Sequence, residues 1–141
     1  MTKSEVIKGM VALIDMVAKR ENLTIDNKGV GHGFDNSFWD FKDTSEIPTI
    51  DAVNADGTYK IGMRPFWSSP EICVRRKTNR GEELLIFHFS DFERTSIDGE
   101  YVHTGEYRIG EVRVDSKSDY KNLISETYDM IDYVIGHGKE K

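Results

Sequence analysis

The hydrophobic pattern of this chain changes period twice, and that limits the folds open to it. Over residues 3–21, Val6, Ile7, Met10, Val11, Leu13, Ile14, Val17 and Ala18 recur at the three-and-four spacing of a helix. From 37 to 114 the apolar residues mostly alternate, as in half-buried strands, with turn signals between the runs. After 116 the helical spacing returns, through Tyr120, Leu123, Ile124, Thr127, Tyr128, Ile131, Val134 and Ile135. A parallel doubly wound sheet needs strands and helices in alternation, and none alternate here. The pattern predicts an α+β fold: an antiparallel sheet of six to seven strands flanked by an N-terminal and a C-terminal α-helix. Its 141 residues make a single α+β domain, long enough to bury a core unaided.

Both helices carry start signals. Thr2 with Glu5, and Ser116 with Asp119, match capping boxes, in which side chains satisfy the first free amides of a helix. Lys19 and Arg20 suit the last turn of the first helix, and Gly136 is placed to end the second. The apolar face of the first helix is wide, so it packs on more than one neighbour. A second copy of the chain is one such neighbour, which makes a homodimer one reading.

Between the helices, residues 26–36 read as a loop and 37–42 as a strand with Trp39 and Phe41 opposite Phe38. A short strand at 50–53 precedes an Asn-Ala-Asp-Gly turn at 54–57. Tyr59, Ile61 and Met63 form one strand face, residues 65–70 interrupt, and Ile72 and Val74 form another. A polar turn at 77–81 leads to 84–89, apolar on both faces and therefore expected to be the most central strand. Asp98-Gly99 and Thr104-Gly105 read as turns. Tyr107 and Ile109 have opposite parity to Val112 and Val114, which predicts a bulge at Gly110-Glu111.

Charge and cysteine content exclude several classes. Twenty-five acids against 19 bases give a net charge of -6, which makes non-specific nucleic-acid binding unlikely. The lone cysteine, Cys73, supports neither an internal disulfide nor a cysteine zinc site, and its strand context suggests a buried thiol. The first residues lack the features of a secretory signal, and no apolar run is long enough for a membrane helix. The expectation is a cytoplasmic protein with no membrane association.

Several motifs carry candidate chemistry. The glycine run 29–34 looks like a phosphate loop, but it follows a helix and precedes a strand, the reverse of the order such loops need. His88 and Ser90 form the His-x-Ser half of a two-histidine phosphoesterase signature, while His32, His103 and His137 lack the matching spacing. They are weak catalytic candidates. Asp40 and Lys42 have the acid-x-Lys spacing of metal-dependent nucleases without an upstream partner acid on a strand. His32, Asp35, Asp40 and Asp43 suit a cation in type, not in spacing, so no metal is assigned.

The most suggestive group is Arg64, Trp67, Arg75, Arg76 and Arg80, because arginine forks with an aromatic plate recognise phosphates, carboxylates and bases. The competing reading pairs those arginines with Glu71, Glu82 and Glu83. Two acidic patches stand out: Asp91, Glu93, Asp98 and Glu100, and a second through Asp115, Asp119, Glu126, Asp129 and Asp132. They suit a basic partner, or simply a solvated surface.

Taken together, these features predict a small acidic binding protein acting on a macromolecular partner, most simply a protein, of inhibitor, immunity, anti-defence or adaptor type. No cofactor is assigned and catalysis is not expected. The first alternative is a small-ligand or nucleotide-binding domain, its anionic ligand in a pocket between sheet and C-terminal helix near Arg64, Arg75, Trp67 and Tyr128. The second is a phosphodiester-cleaving enzyme.

Overall fold

Helix α1 (Lys3–Glu21) begins at the capping box read from the sequence. The Thr2 hydroxyl accepts from the Glu5 amide at 3.2 Å, and the Glu5 carboxylate accepts from the Thr2 amide at 2.9 Å. That exchange holds the Glu5 carboxyl below its ordinary range. The helix ends at Asn22, whose backbone turns left-handed at φ 56°. The computed structural model describes residues 1–30, 47–67, 69–95, 97–116 and 120–139, the side chains of 27–30 excepted. Six strands follow: β1 (Thr24–Val30), β2 (Pro48–Val53), β3 (Tyr59–Phe66), β4 (Ser69–Thr78), β5 (Gly81–Arg94) and β6 (Tyr101–Asp115). Helix α2 (Tyr120–Gly138) closes the order.

The strands form one sheet in the order β1-β2-β3-β4-β5-β6, every neighbour antiparallel. This is a meander, the connection that short turns produce. Alternation along the strands sends Ile50, Ala52, Ile61, Met63, Ile72, Val74, Leu85 and Phe87 to the helix side, where all are buried. There they join Val6, Met10, Leu13, Ile14 and Val17 of α1 and Leu123, Met130, Ile131 and Val134 of α2 in one core. The breadth of the apolar face of α1 is accounted for within the chain, by the sheet and α2 together.

The two helices run antiparallel and very close. A side chain on Gly9 would strike the Val134 carbonyl of α2, and one on Gly138 would strike the Glu5 carbonyl of α1. Glycine at these positions lets the two backbones touch. No helix among the described residues is long and apolar enough to cross a membrane.

The architecture matches the expected fold class, with differences in detail. Residues 26–30 are strand, not loop: β1 pairs with β2 from Thr24↔Val53 to Val30↔Pro48, and pairing with a neighbour overrides weak local preference. Pro65 and Pro70 do not interrupt the sheet; they face each other as Pro65↔Pro70 where β3 turns into β4. The apolar run 84–89 lies in β5, next to the edge strand, not at the centre. Thr104-Gly105 is no hairpin turn but an irregularity within one continuous β6, with Gly105 at φ 77°. Helix α2 passes Gly136 and reaches Gly138, where contact with α1 replaces solvent. The predicted bulge is present: His88↔Glu111 is followed by Phe89↔Ile109, leaving Gly110 as the extra residue. Tyr107, Val112 and Val114 pack inward, whereas Ile109 stays 39% exposed. The 37–42 strand, the motifs at 31–46 and the Asp119 half of the second capping box lie outside the described residues.

Candidate functional site

The arginine group splits: Arg64 and Arg75 line one small pocket with Lys60, Gly62 and Cys73, and Arg76 and Arg80 line another with Tyr59. Trp67 precedes β4 and Arg80 follows it, so the ten-residue strand separates them by about 30 Å at its ordinary rise. Arg64 and Arg75 lie on the sheet face away from the helices, and Arg76, of opposite parity, lies on the helix side. Arg75 pairs with Glu82 at 3.0 Å, and Arg64 approaches Asp51 at 3.8 Å. Both pairs are solvated on the arginine side and add little to stability. Arg76 is more enclosed: Glu126 accepts from Nη1 at 2.7 Å and Nη2 at 3.0 Å, and Glu83 lies 2.8 Å from Nη2. Tyr128, expected to gate a pocket, is half-exposed on the outer face of α2. The core packs between sheet and helices, and an open cleft of about 650 Å³ lies at its edge, lined by Tyr59, Arg76, Arg80 and, from α2, Asn122 and Leu123.

His88 and Ser90 do come together. They are two apart on β5, and the bulge brings Gly110 beneath them. A Cβ on Gly110 would lie 2.6 Å from His88 Nε2 and 2.8 Å from Ser90 Oγ, so glycine is required there for space as well as for the bulge. Burial pushes the His88 imidazole below its ordinary pKa, with Glu111 opposing, and the Phe66 ring lies 5.2 Å away. Among the described residues no second histidine is brought to this point, and His32 lies outside them. His103 is held by Asp91 and Phe92, and His137 stacks on Tyr133 at 3.9 Å. Cys73 is buried, and burial pushes its thiol up, which suits a packed side chain rather than a nucleophile. Among the described residues no group of three metal-ligating side chains forms.

The most exposed built feature lies at the far end of β5. Pairing with β4 runs from Thr78↔Gly81 to Glu71↔His88, and beyond His88 no β4 partner is present among the described residues. Among the described residues the strand continues with β6, through Phe92↔His103, Glu93↔Val102 and Arg94↔Tyr101. Residues 90–94 and their partners therefore form a two-stranded arm extending about 15 Å past the sheet. On one face the Phe92 and His103 rings meet at 4.2 Å, and Tyr101 sets its edge to Phe92 at 6.3 Å. Arg94 stands opposite Tyr101 on that face. Tyr101 is 66% exposed, and Ile97 at the tip is 95% exposed.

This arm is held in shape by its own polar groups. Asp91 is buried at the root, and its Oδ1 lies 2.9 Å from His103 Nδ1. A carboxylate only accepts, so Nδ1 is the donor. Oδ2 accepts from the Gly105 amide at 3.3 Å, and the Asp91 carbonyl accepts from the Thr104 hydroxyl at 3.1 Å. At the tip, the Thr95 amide donates to Glu100 at 2.8 Å. Asp98 accepts from the Thr95 hydroxyl and from the Glu100 amide, and these bonds keep its carboxyl below the usual range. The Tyr107 amide donates to the Met1 carbonyl at 2.7 Å, tying the root to the start of α1.

The sequence reading noted the acids of this arm but not its aromatic face or the Asp91–His103 pair. Counting outward from the Asp98-Gly99 turn places Phe92 opposite His103, a signal that treating Thr104-Gly105 as a second turn obscures. Comparison with known proteins adds no relative: no family model, curated protein or solved structure matches the chain.

Proposed function

We propose that this chain is a binding protein whose β5–β6 arm engages a protein partner, in the manner of an inhibitor, immunity protein or adaptor. The observation that carries this reading is the exposed aromatic face of the arm. A lone two-stranded ribbon is marginal in water, yet this one displays Phe92, Tyr101, Val102 and Ile97 to solvent. Aromatic and arginine side chains are the residues that most often dominate protein interfaces. Internal hydrogen bonds at root and tip pre-organise the arm, which lowers the ordering cost of association. Between 92 and 108 four exposed carboxylates (Glu93, Asp98, Glu100, Glu106) stand with two exposed arginines (Arg94, Arg108), so the surface met is basic with an apolar recess.

The test places a photo-crosslinking residue at position 101 of the full chain in its native cells. The expected result is one dominant protein adduct, absent when the crosslinker stands at position 128 on α2. Purified, that partner binds the Phe92→Ala and Tyr101→Ala variants at least about tenfold more weakly, as loss of an anchoring aromatic requires. Adducts equal at both positions, or affinity unchanged by both substitutions, would overturn the reading.

A further inference from the structure

A second site is built on the face of the sheet away from the helices. Lys60, Gly62 and Arg64 of β3 share that face, and the register sets Arg75 opposite Lys60 and Cys73 opposite Gly62. Asp51 of β2 flanks Gly62 on its other side. A Cβ at Gly62 would meet Asp51 Oδ1 at 2.7 Å and stand 3.5 Å from Arg64 Nη2. The glycine thus leaves a hollow of about 100 Å³, lined by Lys60, Gly62, Arg64, Cys73 and Arg75. Burial pushes the Cys73 thiol up, and Arg64 and Arg75 oppose that from close by, so both guanidinium groups stand near the floor of the hollow.

The lining holds three positive charges and no carboxylate. All three are reachable from solvent, with the Lys60, Arg64 and Arg75 side chains 44%, 47% and 57% exposed. Lys60 Nζ and Arg64 Nη2 stand 3.9 and 3.8 Å from Asp51, beyond hydrogen-bond length, so their N–H groups are not spent on it. Arg75 bonds Glu82 at 3.0 Å in an exposed pair, which an incoming acceptor displaces at little cost. The bordering acids Asp51, Glu71 and Glu82 balance the three cations. Farther out, Lys77 and Arg113 balance Asp26 and Glu111. The neighbourhood therefore draws no ion from a distance. Selection rests on the N–H donors in the lining, and the bordering acids oppose a second negative charge on the occupant. The volume lies well under the roughly 300 Å³ at which ordinary ligand pockets begin, which excludes a nucleotide. A carboxylate fits both limits: it carries one charge, and its two planar oxygens match an arginine fork. We propose that this hollow binds a small monocarboxylic acid, its carboxylate held by Lys60, Arg64 and Arg75 above Gly62.

The site is independent of the arm and is tested on the free protein. Arginine Nε–Hε resonances are followed by NMR while acetate, and in a parallel series inorganic phosphate, replaces chloride at constant ionic strength. The expected result is that the Arg64 and Arg75 signals shift together and saturate with one dissociation constant, tighter for acetate than for phosphate, while the Arg108 signal does not saturate. Lys60→Gln and Arg64→Gln change exposed positions and leave the melting temperature close to that of the parent. Each weakens acetate about fivefold, the size of one charge-assisted hydrogen bond at a half-exposed site. Shifts that rise with acetate without saturating, or that are confined to one of the two arginines, overturn the proposal. Tighter binding of phosphate overturns it as well, as does acetate affinity unchanged in either variant.

Discussion

Strand β5 passes through two environments. From Gly81 to Phe89 it lies beneath the helices, and Leu85, Phe87 and Phe89 are almost fully buried. From Ser90 to Arg94 its partner among the described residues is β6, and Phe92 is 39% exposed. The same strand thus supplies the centre of the core and the base of a solvated arm. Stability and recognition are divided along it, the first resting on apolar burial and the second on polar groups that fix an exposed shape. Substitutions in the two halves should therefore separate cleanly, with large effects on folding in one and on binding in the other.

The largest loss is expected in the body. Phe87→Ala empties a fully buried site and lowers unfolding free energy by about 3–5 kcal/mol in denaturant titration, as large-to-small core changes do. Next comes Gly9→Val, which forces a side chain into the Val134 carbonyl at the helix contact. Overpacking of this kind costs about 1–3 kcal/mol or more, read as a drop in melting temperature. Its failure to destabilise would mean that the two helices separate more freely than their packing indicates.

A smaller effect marks the boundary between the two halves. His88 has a depressed pKa in the folded protein, so the unfolded chain takes up its proton first as pH falls. Its contribution is fully present above the ordinary histidine value near 6.5 and is lost as pH falls through the folded-state value. Stability measured between neutral and mildly acidic pH should decline on acidification, and the His88→Gln variant should show a shallower slope. An identical slope in both proteins would move the titrating group elsewhere.

The smallest stability effect belongs to the arm. Tyr101→Ala and Ile97→Asp should change unfolding free energy by no more than about 0.5 kcal/mol, the usual range for exposed positions. Amide exchange should sharpen the contrast, with 92–94 and 101–103 exchanging faster than 85–87, because among the described residues each pairs with one strand and lies outside the core. Equal protection in the two segments would contradict the division along β5.

The sequence was most informative where local physics decides. Thr2 and Glu5 marked the start of α1 because a capping box is made by residues three apart. The parity break between Ile109 and Val112 located the bulge at Gly110, because side chains alternate strictly along a strand. The arginine group was visible as neighbours along the chain, and the structure divides it for the same reason. Arg75 and Arg76 are adjacent in sequence, and adjacency in a strand sends side chains to opposite faces. Nearness along the chain therefore separated them in space and placed each beside a different carboxylate.

By itself, then, the sequence determined the two helices and the strands from β2 to β5 in their order, though not β1 or the continuity of β6, since helical and strand periods, caps and turn residues act over a few positions. Only the tertiary structure decided how far each strand runs past its neighbour, because register depends on pairing across the sheet. That difference in reach is what leaves β5 and β6 projecting as an arm. It also decided which buried polar atoms have no partner among the described residues, as with Tyr59 Oη and Arg76 Nε, since satisfaction of a buried group depends on every element packed around it. The bracketing helices were legible from their spacing, whereas the two candidate sites exist only where strands pair across the sheet or run past a partner.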